Sequence, residues 1–128
     1  MASNKTIVHR WFEEVWNQGR EATIDELMAV DCRNHGLVDE SGNPIHGTAA
    51  FKMFWRKLRD DFHKLHVEVQ DALVDGDRIA VRCLVTATHA ASGKPVDFTG
   101  MSIARLNGNQ IVEGWNNYDF ERMKQQLG

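Results

Sequence analysis

Hydrophobic positions in the first half of the chain recur at helical spacing. Between Thr6 and Trp16 the apolar side chains fall on one face of a helix, and Gly19 follows where a helix can end. The run Thr23-Ile24-Asp25-Glu26 has the form of a capping box and predicts a short second helix that ends near Met28. A third helix is predicted from Thr48. Its apolar positions are Phe51, Phe54, Trp55, Leu58 and Phe62.

The second half of the chain alternates between apolar and polar positions, which is typical of strands. Strands and turns are predicted from Leu65 to Tyr118. Three turn signals interrupt them, at Asp75-Gly76-Asp77, at Ser92-Gly93-Lys94-Pro95 and at Asn107-Gly108-Asn109. The pattern therefore predicts four successive antiparallel strands.

Two further segments lie outside these patterns. The stretch from Gly36 to Gly47 is polar and rich in turn residues, so we expect a loop beside a pocket mouth. Asp119 suits the N-cap of a last helix, Phe120 to Leu127. Helices followed by an antiparallel meander indicate an α+β domain in which N-terminal helices pack over a curved sheet, and no linker divides residues 1–128.

Composition narrows the classes of partner. The chain has 128 residues and a formal net charge of -3, with both signs dispersed, so neither a nucleic acid nor a membrane is expected as a partner. The N-terminus has no secretory signal pattern, which favours the cytoplasm. Cys32 and Cys83 lie far apart, which suits reduced, buried thiols better than a disulfide or a zinc site.

Several segments, in order, resemble the SnoaL-like polyketide cyclase family. They are Phe12–Gly19, Leu27–His35, Val74–Arg82, Gly93–Gly100 and Gln110–Trp115. The resemblance extends over almost the whole chain. It implies the cone-shaped, curved sheet of nuclear transport factor 2-like proteins, an apolar pocket, a homodimer formed through the sheet, and chemistry that uses no metal and no cofactor.

Candidate catalytic residues follow from the resemblance. The family's cyclases use an aspartate on the last strand as acid and base in an intramolecular aldol condensation, and the matching position here is Asn116, whose amide cannot transfer a proton at physiological pH. Asn34 matches a pocket position from which an amide can donate to a carbonyl oxygen. His35 is the leading candidate for a remaining base, and the alternative is a histidine that holds a loop by a hydrogen bond.

Candidate substrate-binding residues are Trp16, Trp55, His89, Ser102, Gly114 and Tyr118. The tryptophans suit either pocket walls or core packing, and His89 suits either the pocket rim or the core. Alternation along the last strand places Val112, Gly114, Asn116 and Tyr118 on one face, and Glu113 and Trp115 on the other.

Two functions remain open on the sequence. One is a cofactor-independent cyclase, isomerase or dehydratase that acts on a small hydrophobic carbonyl compound. The other is a non-catalytic module that binds a small molecule or dimerises while keeping the same pocket.

Overall fold

A computed structural model describes residues 3–128. The helices are α1 (Asn4–Arg10), a π-helix (Trp11–Asn17), α2 (Glu21–Leu27), α3 (Gly47–Asp61) and α4 (Phe120–Leu127). The strands are β1 (Met28–Val38), β2 (Pro44–His46), β3 (Phe62–Asp75), β4 (Arg78–His89), β5 (Pro95–Asn107) and β6 (Gln110–Tyr118). No helix in this part of the chain is both long and apolar enough to cross a membrane.

The strands form one curved sheet in the order β2-β1-β6-β5-β4-β3. The pair β1–β6 is parallel and every other pair is antiparallel. The predicted α+β class, in which N-terminal helices pack over a curved sheet, is confirmed, and the sheet is mixed. The predicted meander of four strands corresponds to β3 through β6, and the three predicted turns connect them.

The first predicted helix is divided into two helical forms. After α1 the chain widens into the π-helix, where Gln18 N donates to Glu13 O at 2.9 Å. Side chains from elsewhere hold the end of this helix: Trp55 Nε1 donates to Val15 O at 2.9 Å. Asn17 pairs with the backbone of Val67 on β3, donating to its O at 3.1 Å and accepting from its N at 2.6 Å. These contacts stabilise the π form. They join residues far apart in the sequence, so the local spacing of apolar residues does not predict them.

The predicted capping box at Thr23 is wrong. α2 begins two residues earlier, at Glu21, and Thr23 lies inside it, fully buried. Its hydroxyl donates to Glu14 Oε1 of the π-helix at 2.8 Å rather than capping its own helix. The Thr23 hydroxyl therefore bonds to Glu14, which belongs to another helix, instead of capping the start of its own helix.

The segment predicted as a loop contains regular structure. β1 extends to Val38, and the chain returns as β2 after a tight turn in which Asp39 Oδ1 accepts from the backbone N of Ser41 and of Asn43, both at 2.9 Å. Because β1 pairs with β6, its backbone amides are satisfied in the sheet although its sequence alternates poorly. β1 thereby becomes a wall of the site.

The inner face of the sheet carries the core. On β4 the alternate residues Ile79, Val81, Cys83 and Val85 are all at most 4% exposed. The helices α1, α3 and the π-helix contribute the facing apolar side chains. On β6 a bulge changes the register between Arg105 and Leu106 of the partner strand, so Ile111 rather than Val112 lines the cavity. Val112 is partly buried and packs against the core without reaching the cavity, because the extra residue of a bulge interrupts the alternation.

Candidate functional site

A cavity of about 100 Å³ lies between the inner face of the sheet and the helices. Its walls are mainly aromatic and aliphatic. Trp11 and Trp16 belong to the π-helix, and Phe51 of α3 contacts both rings, at centroid distances of 5.2 and 6.0 Å. Phe54 completes this wall at 6.4 Å from Trp16. Burial of these large rings encloses an apolar space that favours an apolar ligand.

Four polar side chains on three adjacent strands line one side of this cavity: Asn34, Ser102, Asn116 and Tyr118. The sheet register brings them together. Ser102 of β5 lies opposite Asn116 of β6, and Gly114 of β6 lies beside Asn34 of β1. No residue with a carboxylate, imidazole, ammonium or guanidinium group lines the cavity among residues 3–128.

Ser102 links two of these polar groups. Its Oγ lies 3.1 Å from Asn116 Oδ1 and 3.0 Å from the Tyr118 hydroxyl oxygen. Asn116 Nδ2 donates to the backbone O of His35 at 3.1 Å. The three side chains therefore form one hydrogen-bonded row that is anchored to β1.

Asn34 has an unusual hydrogen-bonding state. The residue is only 5% exposed, and its Nδ2 is a buried donor without a hydrogen-bond partner in residues 3–128. Gly114 leaves space beside it, because a Cβ at that position would lie 3.4 Å from Asn34 Oδ1. An unpaired buried amide donor costs about 1–3 kcal/mol. A ligand with an acceptor atom at this place would therefore bind in preference to a ligand without one.

Tyr118 lies against the backbone of Gly100. The two residues are register partners, and a Cβ at Gly100 would overlap the tyrosine ring. Burial raises the pKa of the Tyr118 phenol far above its usual value, so the group is protonated at neutral pH. The phenol is a neutral hydrogen-bonding group here.

His35 lies outside the cavity, contrary to its predicted role as a base in the pocket. Neighbouring residues of a strand point to opposite faces, so Asn34 faces inward and His35 faces outward. Its Nε2 lies 2.7 Å from Glu113 Oε2, and its ring stacks on Trp115 with centroids 5.4 Å apart. The hydrogen bond with His35 is the main reason why the pKa of the Glu113 carboxyl lies below its usual value. The geometry fits the alternative of a structural histidine.

Of the other predicted residues, four line the cavity and two lie outside it. Trp16, Ser102, Gly114 and Tyr118 line the cavity. Trp55 does not: it is 5% exposed and its indole nitrogen is bound to Val15 O. His89 lies at the far end of β4, where its Nδ1 is 2.8 Å from Ser92 Oγ.

The site residues that the sequence analysis missed include Trp11, Phe51, Phe54 and Gly100. Trp11 forms part of the aromatic wall, and its helical spacing with Val8 and Phe12 was the signal that could have found it. Gly100 was noted only as part of a family-like segment. Its role depends on which residue faces it across the sheet, and one sequence does not state that register.

The curved sheet, the covering helices and the enclosed cavity define the nuclear transport factor 2-like class of α+β proteins. The family model described as SnoaL-like polyketide cyclase matches residues 6–127. The chain therefore belongs to the SnoaL-like polyketide cyclase family.

Solved structures agree with this assignment. IdmH from Streptomyces antibioticus, a proposed polyketide cyclase, is 26% identical with a TM-score of 0.88, and the match covers 99% of both chains. A proposed polyketide cyclase from Bacillus cereus ATCC 10987 is 30% identical with a TM-score of 0.82, over 95% of this chain and 78% of that one. AclR from Streptomyces galilaeus, a proposed hydroxylase, is 21% identical with a TM-score of 0.82, over 98% and 84%. The likeness to AclR concerns the fold alone. A comparison with curated proteins gave no match.

Proposed function

We propose that this protein is a cofactor-independent enzyme of the cyclase type that acts on a small, neutral, largely apolar carbonyl compound. The observation that carries the proposal is the unpaired buried amide donor of Asn34 in the wall of an otherwise apolar cavity. A carbonyl oxygen is the acceptor that such a donor can bind and polarise. The similarity to structures described as proposed polyketide cyclases supports the same class of reaction.

The neutrality of the ligand follows from the lining of the cavity. A charged ligand would be desolvated in this space without a counter-charge from the described lining residues, at a cost of several kcal/mol. A neutral ketone meets no such cost. The cavity volume of about 100 Å³ selects compounds of about one ring unless side chains move apart.

The proposed catalysis relies on enclosure and on hydrogen-bond donation rather than on a side-chain base. Asn116 occupies the family's aspartate position and is engaged through both ends of its amide. The reacting species is the enol form of the ligand: its carbon forms the new bond to a carbonyl carbon, and the enol O–H proton passes to the alkoxide formed there, so no side-chain base is needed. A folded chain held in a small cavity brings the two carbons together, and donation to the carbonyl oxygen stabilises the charge that develops there.

The first experiment compares acetophenone with α-methylstyrene, in which a CH₂ group replaces the carbonyl oxygen. We expect Asn34→Leu to weaken acetophenone binding about tenfold and to leave α-methylstyrene binding nearly unchanged.

The same change should raise the free energy of unfolding by about 1 kcal/mol, because it removes an unsatisfied donor. Binding is measured by NMR titration and stability by urea unfolding. Asn117→Ala, an exposed amide on the same strand as Asn116, is the control. A ratio of the two affinities that Asn34→Leu leaves unchanged would contradict the proposal.

A second candidate function is binding without turnover, and the absence of an ionisable group other than Tyr118 from the described cavity lining favours it. Heptane-2,4,6-trione separates the two candidates, because it can close to a six-membered ring by aldol condensation with loss of water. Accelerated ring closure that Asn34→Leu abolishes supports the enzyme. Binding of the trione without acceleration supports the binding protein.

We also propose that a second copy of the chain covers the outer face of the sheet. Met101 and Ile103 project there with 56% and 42% of their surfaces exposed, and Trp115 is the register partner of Ile103. We refer to these three residues as the outer apolar patch. A self-complementary apolar patch at the centre of a sheet suits a symmetric dimer.

A further inference from the structure

The positions of the protons along the row Tyr118–Ser102–Asn116 can be assigned from its anchored end. The backbone O of His35 can only accept, so the side-chain atom of Asn116 that lies 3.1 Å from it is the amide nitrogen. The other end of the same amide, Oδ1, then faces Ser102 Oγ at 3.1 Å. Because Oδ1 can only accept, Ser102 must donate to it.

The assignment continues to Tyr118. A serine hydroxyl has one proton, and Ser102 has already given it to Asn116. The contact of 3.0 Å between the Ser102 and Tyr118 hydroxyl oxygens can then be a hydrogen bond only if Tyr118 donates. The phenol has this proton at neutral pH because burial raises its pKa. The Cys83 thiol also contacts the phenol, but sulfur is a weak acceptor and S–H a weak donor, so the phenol proton goes to Ser102 Oγ. The lone pairs of the phenol oxygen are then left to serve a ligand.

We propose that Tyr118 acts on the ligand as a hydrogen-bond acceptor, and that the substrate class is therefore a carbonyl compound that also bears a hydroxyl or N–H donor. This inference rests on the proposed function, because it concerns the same cavity. Asn34 supplies the donor for the carbonyl oxygen, and Tyr118 supplies the acceptor for the second group. A compound with an ether oxygen in place of the donor would set two acceptors against each other.

The test uses probes of equal shape and opposite polarity. 3-Acetylpyrrole has an N–H donor where 3-acetylfuran has an oxygen acceptor, and both are single-ring ketones that suit the cavity volume. Dissociation constants are measured by NMR titration. Hydration differs between the members of a pair, so the readout is the change in their affinity ratio from one variant to another.

The expected result depends on the direction of the hydrogen bonds along the row. Ser102→Ala frees the tyrosine proton to meet an acceptor, so the preference for the N–H probe should fall about tenfold. Asn116→Ala should have the same effect, because Ser102 can then donate to Tyr118. Asn117→Ala is the control: it removes an exposed amide of the same strand that lies outside the row, so the ratio should stay as in the wild type. Tyr118→Phe should also reduce the preference, since the acceptor is gone.

Two outcomes would overturn the inference. One is an unchanged ratio in both Ser102→Ala and Asn116→Ala, and the other is an N–H preference that survives in Tyr118→Phe. Either result leaves the proposed function standing if acetophenone still binds through Asn34. An acetophenone to α-methylstyrene affinity ratio that Asn34→Leu leaves unchanged would instead remove the proposed function itself.

Discussion

Gly100 lies opposite Tyr118 in the pairing of β5 with β6, and the tyrosine ring occupies the space where a side chain would be. From this position the hydroxyl oxygen of Tyr118 lies 3.0 Å from Ser102 Oγ. The residue without a side chain thus positions the phenol that faces the cavity. Small residues beside a large one are a common way to place a ring close to a sheet.

We predict that Gly100→Ala lowers the free energy of unfolding by about 1–3 kcal/mol, because the added methyl group forces the Tyr118 ring out of place. Tyr118→Ala removes the overlap, so adding Gly100→Ala to that variant should have little further effect. A double-mutant cycle by urea unfolding measures the difference. Additive effects in the double variant would contradict this account.

At the scale of elements, Glu14 joins three segments of the helical layer. Its carboxylate accepts from Arg10 Nε at 2.7 Å, from Arg20 Nη1 at 3.0 Å and from Thr23 Oγ1 at 2.8 Å. These hydrogen bonds lower the pKa of Glu14 from 4.5 to about 2, and the bond from Arg10 contributes most. The π-helix that carries the aromatic wall is thereby fixed to α1 and α2.

The pH dependence of this connection has a definite sign. The unfolded chain binds a proton at Glu14 near pH 4.5 and the folded chain only near pH 2, so the contribution is present above about 4.5 and is lost as the pH falls to about 2. We predict that Glu14→Gln is less stable than the wild type at pH 7, and that the difference shrinks between pH 4.5 and 2. Urea unfolding over this range checks it. A difference that stays constant across the range would contradict the assignment.

At the scale of the whole molecule, the two faces of the sheet have different roles. The inner face holds the cavity, and the outer face holds the outer apolar patch with the His35–Glu113 pair near it. Arg78 lies over the Trp115 ring at 5.4 Å, so the patch has a charged border. A second copy could cover the outer face without blocking the cavity.

We predict that Met101→Glu converts a dimer to a monomer, because two carboxylates would meet across the symmetry axis without partners. Analytical ultracentrifugation measures the mass, and acetophenone binding should be retained. Val30→Glu is the control, since Val30 is an apolar residue that is 81% exposed and lies outside the patch. A wild type that is monomeric at every concentration tested would refute the proposed dimer.

Sequence periodicity was sufficient for much of the architecture. The hairpin turns, α4 with its Asp119 cap, and the inward positions of Gly114, Asn116 and Tyr118 all follow from neighbours within a few residues. Alternation along β1 would also have placed His35 outside, because its neighbour Asn34 was expected to face the pocket.

The sequence by itself determined which segments are helices or meander strands and which polar residues share a face of β6, because these properties depend on local spacing. The tertiary structure alone decided the π form of the first helix, the role of Thr23, the bulge at Val112 and the contact of Tyr118 with Ser102 and Gly100. Each of these depends on a partner distant in the chain, through hydrogen bonds and packing that no local pattern specifies.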